Sequence, residues 1–172
     1  MMPTLSFASP LGELTLTEQE GRITALTWNS NQRTGNAVET ALGKPGLLLQ
    51  ARDQILEYFD GARTEFDLPL APEGTDFQRR VWQSMLAIPY GETRRYGDLA
   101  RQVSSAPRAV GRACGANPIP LIVPCHRVTA ASGNIGGYSG TGGIATKQFL
   151  LAHESNPPQQ SLSFNETPTP FS

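Results

Sequence analysis

The chain has 172 residues, 38% of them apolar and 17% charged, which fits one compact unit or two small domains of ordinary globular composition. No apolar run approaches the roughly 18 residues that a membrane-spanning helix needs, and Met1-Met2-Pro3-Thr4-Leu5 lacks the charged and apolar regions of a secretion signal, so a cytoplasmic protein with no membrane partner is expected. The net charge of −1 hides an asymmetry: residues 1–76 hold eleven acids against five bases, whereas residues 77–128 hold eight arginines against two acids, Glu92 and Asp98. Arginine grips phosphate through a bidentate fork, so this distribution points to nucleic acid, with a merely solvated basic face as the alternative.

In chain order, the first thirty residues predict a small antiparallel meander. Leu14 and Leu16 alternate with polar residues, Glu20-Gly21 makes a turn, and Ile23, Leu26 and Trp28 fall on the next strand. Residues 29–46 are rich in turn formers and predict a loop. A helix is expected at 47–60, with Leu48, Ala51, Ile55, Tyr58 and Phe59 on one face and Gly61 as its C-terminal cap. The stretch Pro69-Leu70-Ala71-Pro72-Glu73-Gly74 reads as a linker, followed by the capping pattern Thr75-Asp76-Phe77-Gln78. That pattern opens a helix with Phe77, Val81, Trp82, Met85 and Leu86 facing inward, ended by Pro89-Tyr90-Gly91.

Two short helices are predicted at 96–103 and 107–115, joined by Ser104-Ser105-Ala106, with Pro107 at the first helical position of the second. The pair has the outline of a helix-turn-helix whose second helix carries Arg108 and Arg112. Leu121-Ile122-Val123 reads as a short buried strand leading into Pro124-Cys125-His126-Arg127-Val128, then comes a glycine-rich loop from Gly133 to Gly143. A helix from Thr146 to Glu154 follows, with Phe149, Leu150 and Leu151 as its apolar residues, and the proline-rich end reads as a flexible tail. The boundaries expected are therefore an N-terminal sheet-plus-helix domain at 1–72, a second domain at 73–155, and a tail at 156–172.

The cysteines are Cys114 and Cys125 and the histidines His126 and His153. A reducing compartment favours two free thiols over a disulfide, and the spacing fits no usual zinc pattern. A cysteine attacks as its thiolate, which forms at neutral pH when a base or a positive charge lies beside it. Cys125 is followed by His126 and Arg127. On a regular strand adjacent side chains point to opposite faces, so a turn or a bridging water is needed to bring thiol and imidazole together. A third group would hold the imidazole in the right tautomer, and Glu154 is the candidate, the only acid after Asp98 apart from Glu166 in the tail. The plainer reading is that Cys125 is a small buried core residue.

Pro124-Cys125-His126-Arg127-Val128 resembles the active-site signature of the O6-alkylguanine-DNA alkyltransferases. The likeness extends through Phe77-Gln78-Arg79-Arg80-Val81-Trp82, Ile88-Pro89-Tyr90-Gly91-Glu92-Thr93, Tyr96-Gly97-Asp98-Leu99-Ala100, Arg108-Ala109-Val110-Gly111, Asn117-Pro118-Ile119-Pro120, Gly137-Tyr138-Ser139-Gly140 and Lys147 to Glu154. Residues 75–154 match strongly and in order; residues 1–74 match only in general character. Ordered motifs of this kind carry far more information than any one of them.

The resemblance implies an α/β fold in two parts, a ribonuclease H-like small sheet with a helix and a helical domain with a winged helix-turn-helix. It implies single-turnover transfer of a methyl or small alkyl group from O6-alkylguanine, and O4-alkylthymine, to Cys125, with no cofactor and no metal. The partner would be double-stranded DNA approached through the minor groove by a monomer. Position by position, Cys125 would be the acceptor, His126 a water-mediated base and Glu154 its orienting acid. Tyr96 would act on the N3 side of the base, Asn117 would brace the turn before the active site, and Val128 would read the guanine edge. Tyr138 and Ser139 would line the O6 side and Pro120 the pocket wall. Arg108 would enter the base stack, with Arg112 and Arg127 as further DNA contacts. Ala109, Gly111, Ala113 and Gly115 would offer the groove a face of small residues.

The chain departs from the family pattern in a shorter stretch from Tyr96 to Arg108, a longer loop at 137–143, and the absence of Cys and His from residues 1–113. The last of these removes the zinc site that some relatives carry. A sensor that binds lesions without removing them, and a cysteine hydrolase with multiple turnovers, are the competing functions.

Overall fold

The computed structural model describes residues 3–28, 46–130 and 143–155. The predicted loop at 29–46, all but the last residue of the glycine-rich loop, and the tail therefore lie almost wholly outside the described residues. Strands β1 (Thr4–Ser9), β2 (Gly12–Gln19) and β3 (Arg22–Trp28) form an antiparallel meander in that order. Alternation puts Leu5, Phe7, Leu14 and Leu16 inside, and a register shift opposite Thr17 and Glu18 lets Ile23 and Leu26, three residues apart, both face inward. Glu20 and Gly21 both have positive φ, 53° and 78°, the backbone that a two-residue hairpin turn requires.

Helix α1 (Gly46–Phe59) covers the sheet with Leu48, Ala51, Ile55 and Tyr58. It ends in a Schellman cap, where Ala62 N donates to Glu57 O and Gly61 N to Tyr58 O. Gly61 has φ 82°, a conformation that glycine adopts at no steric cost.

The segment read as a linker is not loose. Ile23 N donates to Pro69 O at 2.8 Å and Ala71 N to Ile23 O at 2.9 Å, and Leu26 N reaches Pro118 O at 3.0 Å. Strand β3 is an edge of the meander, and an edge presents backbone groups that need partners; Pro69, Ala71 and Pro118 supply them.

Helix α2 (Asp76–Leu86) starts on a complete capping box, Gln78 N donating to Thr75 Oγ1 at 3.1 Å and Thr75 N to Gln78 Oε1 at 2.9 Å. Val81, Trp82 and Met85 are buried, and the Trp82 indole N–H donates to Ala113 O at 2.8 Å. Leu86, expected to face inward, is 41% exposed. One residue of helix is a rotation of about 100°, and Met85 already holds the inward position.

Helices α3 (Tyr96–Gln102) and α4 (Pro107–Gly115) pack on each other and on α2 through Leu99, Ala100, Val103, Val110, Ala113 and Cys114. Ser104, with φ 55°, makes the turn between them, and Pro107 occupies the first position of α4. A short parallel pair, β4 (Arg94–Arg95) with β5 (Val128–Thr129), joins the entrance of this helix pair to the cysteine segment.

The strand expected at Leu121–Val123 does not form. Pro120 and Val123 make an isolated bridge around a tight turn in which Leu121 has φ 82°, and Val123 N donates to Ile119 O. Pro120 and Pro124 bring no N–H to a ladder, and Asn117 takes over that role. Its Nδ2 donates to Val123 O and its Oδ1 accepts from Ile119 N, both at 2.9 Å. Helix α5 (Gly143–Ser155) starts three residues ahead of the predicted Thr146. Its inward residues are Thr146, Lys147, Leu150 and Glu154, while Phe149 is 41% exposed. Reading its inner face from apolar residues therefore succeeded only at Leu150.

Candidate active site

Cys125, His126 and Arg127 form one turn of 3-10 helix, closed by Arg127 N donating to Pro124 O at 2.9 Å. Of the two alternatives, a turn or a bridging water, the chain shows the turn, and it removes the strand alternation that sends neighbouring side chains to opposite faces. All three residues are buried.

The imidazole is held from α5: His126 Nε2 lies 2.7 Å from Glu154 Oε2. Burial alone would raise the Glu154 carboxyl, but hydrogen bonds from His126 and Arg127, with the arginine's charge, hold it well below the usual carboxylate range. Glu154 is thus ionised and can only accept, so Nε2 carries the proton. Burial lowers the His126 pKa, and the Glu154 bond only partly offsets it, so the ring is neutral at pH 7. It follows that Nδ1 holds the lone pair. Nδ1 is buried and has no hydrogen-bond partner among the described residues.

Two residues around Glu154 carried no such role in the sequence reading. Arg127 was assigned to DNA contact, and the structure corrects this. Its Nε donates to Glu154 Oε1 at 2.8 Å, Nη2 to Oε2 at 3.0 Å, and Nη1 to Ile88 O at 2.7 Å. The guanidinium also lies over the Tyr90 ring. A buried arginine must be matched by charge and acceptors, and these commitments turn it away from the surface. Tyr58, predicted only as a core face of α1, donates its hydroxyl to Glu154 Oε2 at 2.6 Å. No sequence signal marks this pair, since the partners lie 96 residues apart.

Lys147 is likewise an unpredicted part of the site. It is fully buried, donates Nζ to Val128 O at 2.6 Å and sits 5.8 Å from the centroid of the Tyr96 ring. Burial lowers its pKa, and the electrostatic pull of Cys125 and Cys114 acts in the other direction, so the amine and both thiols share one neighbourhood. Cys114 packs against Met85 and burial pushes its thiol up to about 12, which leaves it inert.

The remaining predicted residues fall into three groups. Asn117 braces the turn ahead of Cys125, as described above. Tyr96 opens α3 half-buried, while Val128 and Pro120 are buried on either side of the cysteine turn in the chain. Arg108 and Arg112 are exposed on α4 with Gly111 and Gly115 on the same side of the helix, where a Cβ would meet nothing within 4 Å. Ala113, expected on that small-residue face, is turned inward under Trp82 instead. Tyr138 and Ser139 lie outside the described residues. No group of three or more metal-ligating side chains occurs among the described residues, and none of their helices is long and apolar enough to cross a membrane.

Fold and site together define a two-part protein in which an arginine-bearing helix-turn-helix stands beside a buried cysteine backed by a histidine–carboxylate pair. Residues 5–72 match the ribonuclease-like domain of 6-O-methylguanine DNA methyltransferase, and residues 76–156 match its DNA binding domain. A methylated-DNA–protein-cysteine methyltransferase of Mycobacterium bovis is 47% identical over 150 residues, covering 86% of this chain and 89% of that one. The constitutive methylated-DNA–protein-cysteine methyltransferase of Bacillus subtilis is 43% identical, covering 83% and 89%. The crystal structure of Mycobacterium tuberculosis OGT in complex with DNA superposes with a TM-score of 0.75 at 46% identity, covering 91% of this chain and 96% of that one. The chain belongs to the 6-O-methylguanine DNA methyltransferase family.

Proposed function

We propose that this protein repairs alkylated DNA by direct reversal, moving a methyl or small alkyl group from O6-alkylguanine, and from O4-alkylthymine, onto Cys125 once per molecule. The observation that carries the proposal is the state of His126: neutral, protonated on Nε2 by its bond to an ionised Glu154, with the Nδ1 lone pair uncommitted among the described residues. An imidazole so arranged takes the thiol proton through one water, and the pair acts as base and orienting acid.

The Cys125 sulfur then attacks the alkyl carbon. The S–C bond forms as the C–O6 bond breaks, its electron pair stays on the base, and the base gains a proton on the ring. Tyr96, at the start of α3, supplies that proton at N3. The thioether has no good leaving group, so the protein stops after one event.

The target carbon lies inside a duplex, so the nucleotide must leave the stack. Arg108 on the exposed face of α4 fills the gap, Arg112 holds phosphate, and the open positions at Gly111 and Gly115 let the helix approach the minor groove closely. Val128 and Pro120 line the base pocket, Asn117 keeps the wall rigid, and the resemblance gives Tyr138 and Ser139 contacts on the O6 side. The protein acts as a monomer in the cytoplasm, and its partner is double-stranded DNA.

The test is incubation with duplex DNA carrying radiolabelled O6-methylguanine. Label moves to the protein up to one equivalent, and Cys125→Ala abolishes transfer while leaving DNA binding intact. Binding without any transfer by the wild-type chain would make it a lesion sensor, and more than one turnover would make it a hydrolase.

A further inference from the structure

The Glu154 carboxylate is shared across the two parts of the molecule. Its Oε2 takes three donors: the Tyr58 hydroxyl from α1 at 2.6 Å, His126 Nε2 at 2.7 Å and Arg127 Nη2 at 3.0 Å. Among the described residues, Oε1 takes only Arg127 Nε. Tyr58 is completely buried and is held from all sides. Its ring stacks with Phe66 at 5.6 Å and meets Tyr90 edge-on at 6.0 Å, and the His153 ring lies 4.9 Å away while His153 Nε2 donates to the Tyr58 carbonyl. The tyrosine is therefore pinned at both ends, and its hydroxyl is committed to one oxygen.

From this sharing we infer that Tyr58 is a positioning residue of the transfer reaction, a donor from the N-terminal domain that sets how strongly Glu154 holds His126 and hence how basic His126 is. The inference rests on the function proposed above. A hydrogen-bond donor on a carboxylate oxygen draws off its negative charge, and that weakens the oxygen as an acceptor for a second donor on the same atom. Removing the Tyr58 hydroxyl leaves Oε2 to His126 and Arg127, strengthens the carboxylate–imidazole bond and favours the imidazolium. The groups acting on His126 besides Glu154 are Arg127 from its own turn and Lys147 from α5, both opposing protonation. Tyr58 faces Glu154, Arg127 and Tyr90. Neither Arg127 nor Lys147 is altered by the substitution, so the direction of the effect belongs to the tyrosine.

The experiment is the single-turnover rate of transfer from an O6-methylguanine duplex, measured from pH 5 to 9 for the wild-type protein, Tyr58→Phe, and a chain carrying 3,5-difluorotyrosine at position 58. Losing the donor moves the acid limb of the profile to higher pH by roughly half a unit, about threefold in rate on that limb. The fluorinated ring is a stronger donor of nearly the same shape and moves the limb to lower pH. The fluorinated chain keeps the test decisive even where Tyr58→Phe folds poorly. A residue that only fills space would change stability and leave the acid limb of both variants on the wild-type curve, and that result overturns the inference. If the wild-type chain itself transfers no alkyl group, the proposed function fails instead, which separates the two outcomes.

Discussion

The exposed face of α4 and the buried surroundings of Glu154 both rely on arginine, and they use it in opposite ways. On α4, Arg108 and Arg112 stand in solvent, where charge is screened and, under the proposed function, each would add a modest share to a collective attraction for phosphate. Around Glu154, Arg127 is committed through three hydrogen bonds to fixed oxygens, and its value lies in geometry. The exposed set is tolerant and sensitive to salt. The buried set is intolerant and insensitive to salt, because removing one member strands the others without compensation.

The largest break in this contrast comes from Glu154→Gln. It leaves Arg127 buried without its counter-charge and removes the carboxylate that fixes the His126 tautomer. A stability loss of about 3–5 kcal/mol is expected from denaturant unfolding, and the transfer rate of the folded fraction falls by about two orders of magnitude.

Acid probes the same buried set without mutation. The folded pKa of His126 lies below its usual 6.5 and that of Glu154 below its usual 4.5. Between each folded value and the unfolded one, the unfolded chain binds more protons, so stability rises with pH there and is lost as pH falls. Urea unfolding at stepped pH should show stability declining below about 6.5, and more steeply below about 4.5. His126→Gln should flatten the upper part of that decline and make the lower part shallower, since it weakens one of the groups that hold the Glu154 carboxyl low.

The smallest effect belongs to the exposed set. Arg112→Ala should weaken binding to undamaged and damaged duplexes alike, by about threefold to tenfold, and should reduce the slope of log affinity against log salt by about one. Folding stability should shift by less than about 0.5 kcal/mol. A salt-independent or lesion-specific loss would mean that Arg112 reads the base rather than phosphate.

Much of the architecture was legible before any coordinates. Period-two alternation in β2, the Glu20-Gly21 turn, the Thr75–Gln78 box, Gly61 and Pro107 are local signals, and each is met in the structure. Three of the departures share one cause. Leu121–Val123, Leu86 and Phe149 were judged by hydrophobicity alone, yet Asn117 and two prolines convert the first into a turn, and helix rotation leaves the other two facing solvent. In α5 the inner face is largely polar, because Lys147 and Glu154 find partners on Val128, His126, Arg127 and Tyr58.

The sequence by itself determined most of the helices and the strands of the meander, because caps, turns and alternation act over a few residues, and its ordered motifs carried the resemblance that assigns Cys125 the acceptor role. Only the tertiary structure decided which arginine stands in solvent and which is buried, and that Tyr58 and His126 share the Glu154 carboxylate. Charge pairing in a dry interior depends on which surfaces the fold presses together, and nothing in local spacing encodes that.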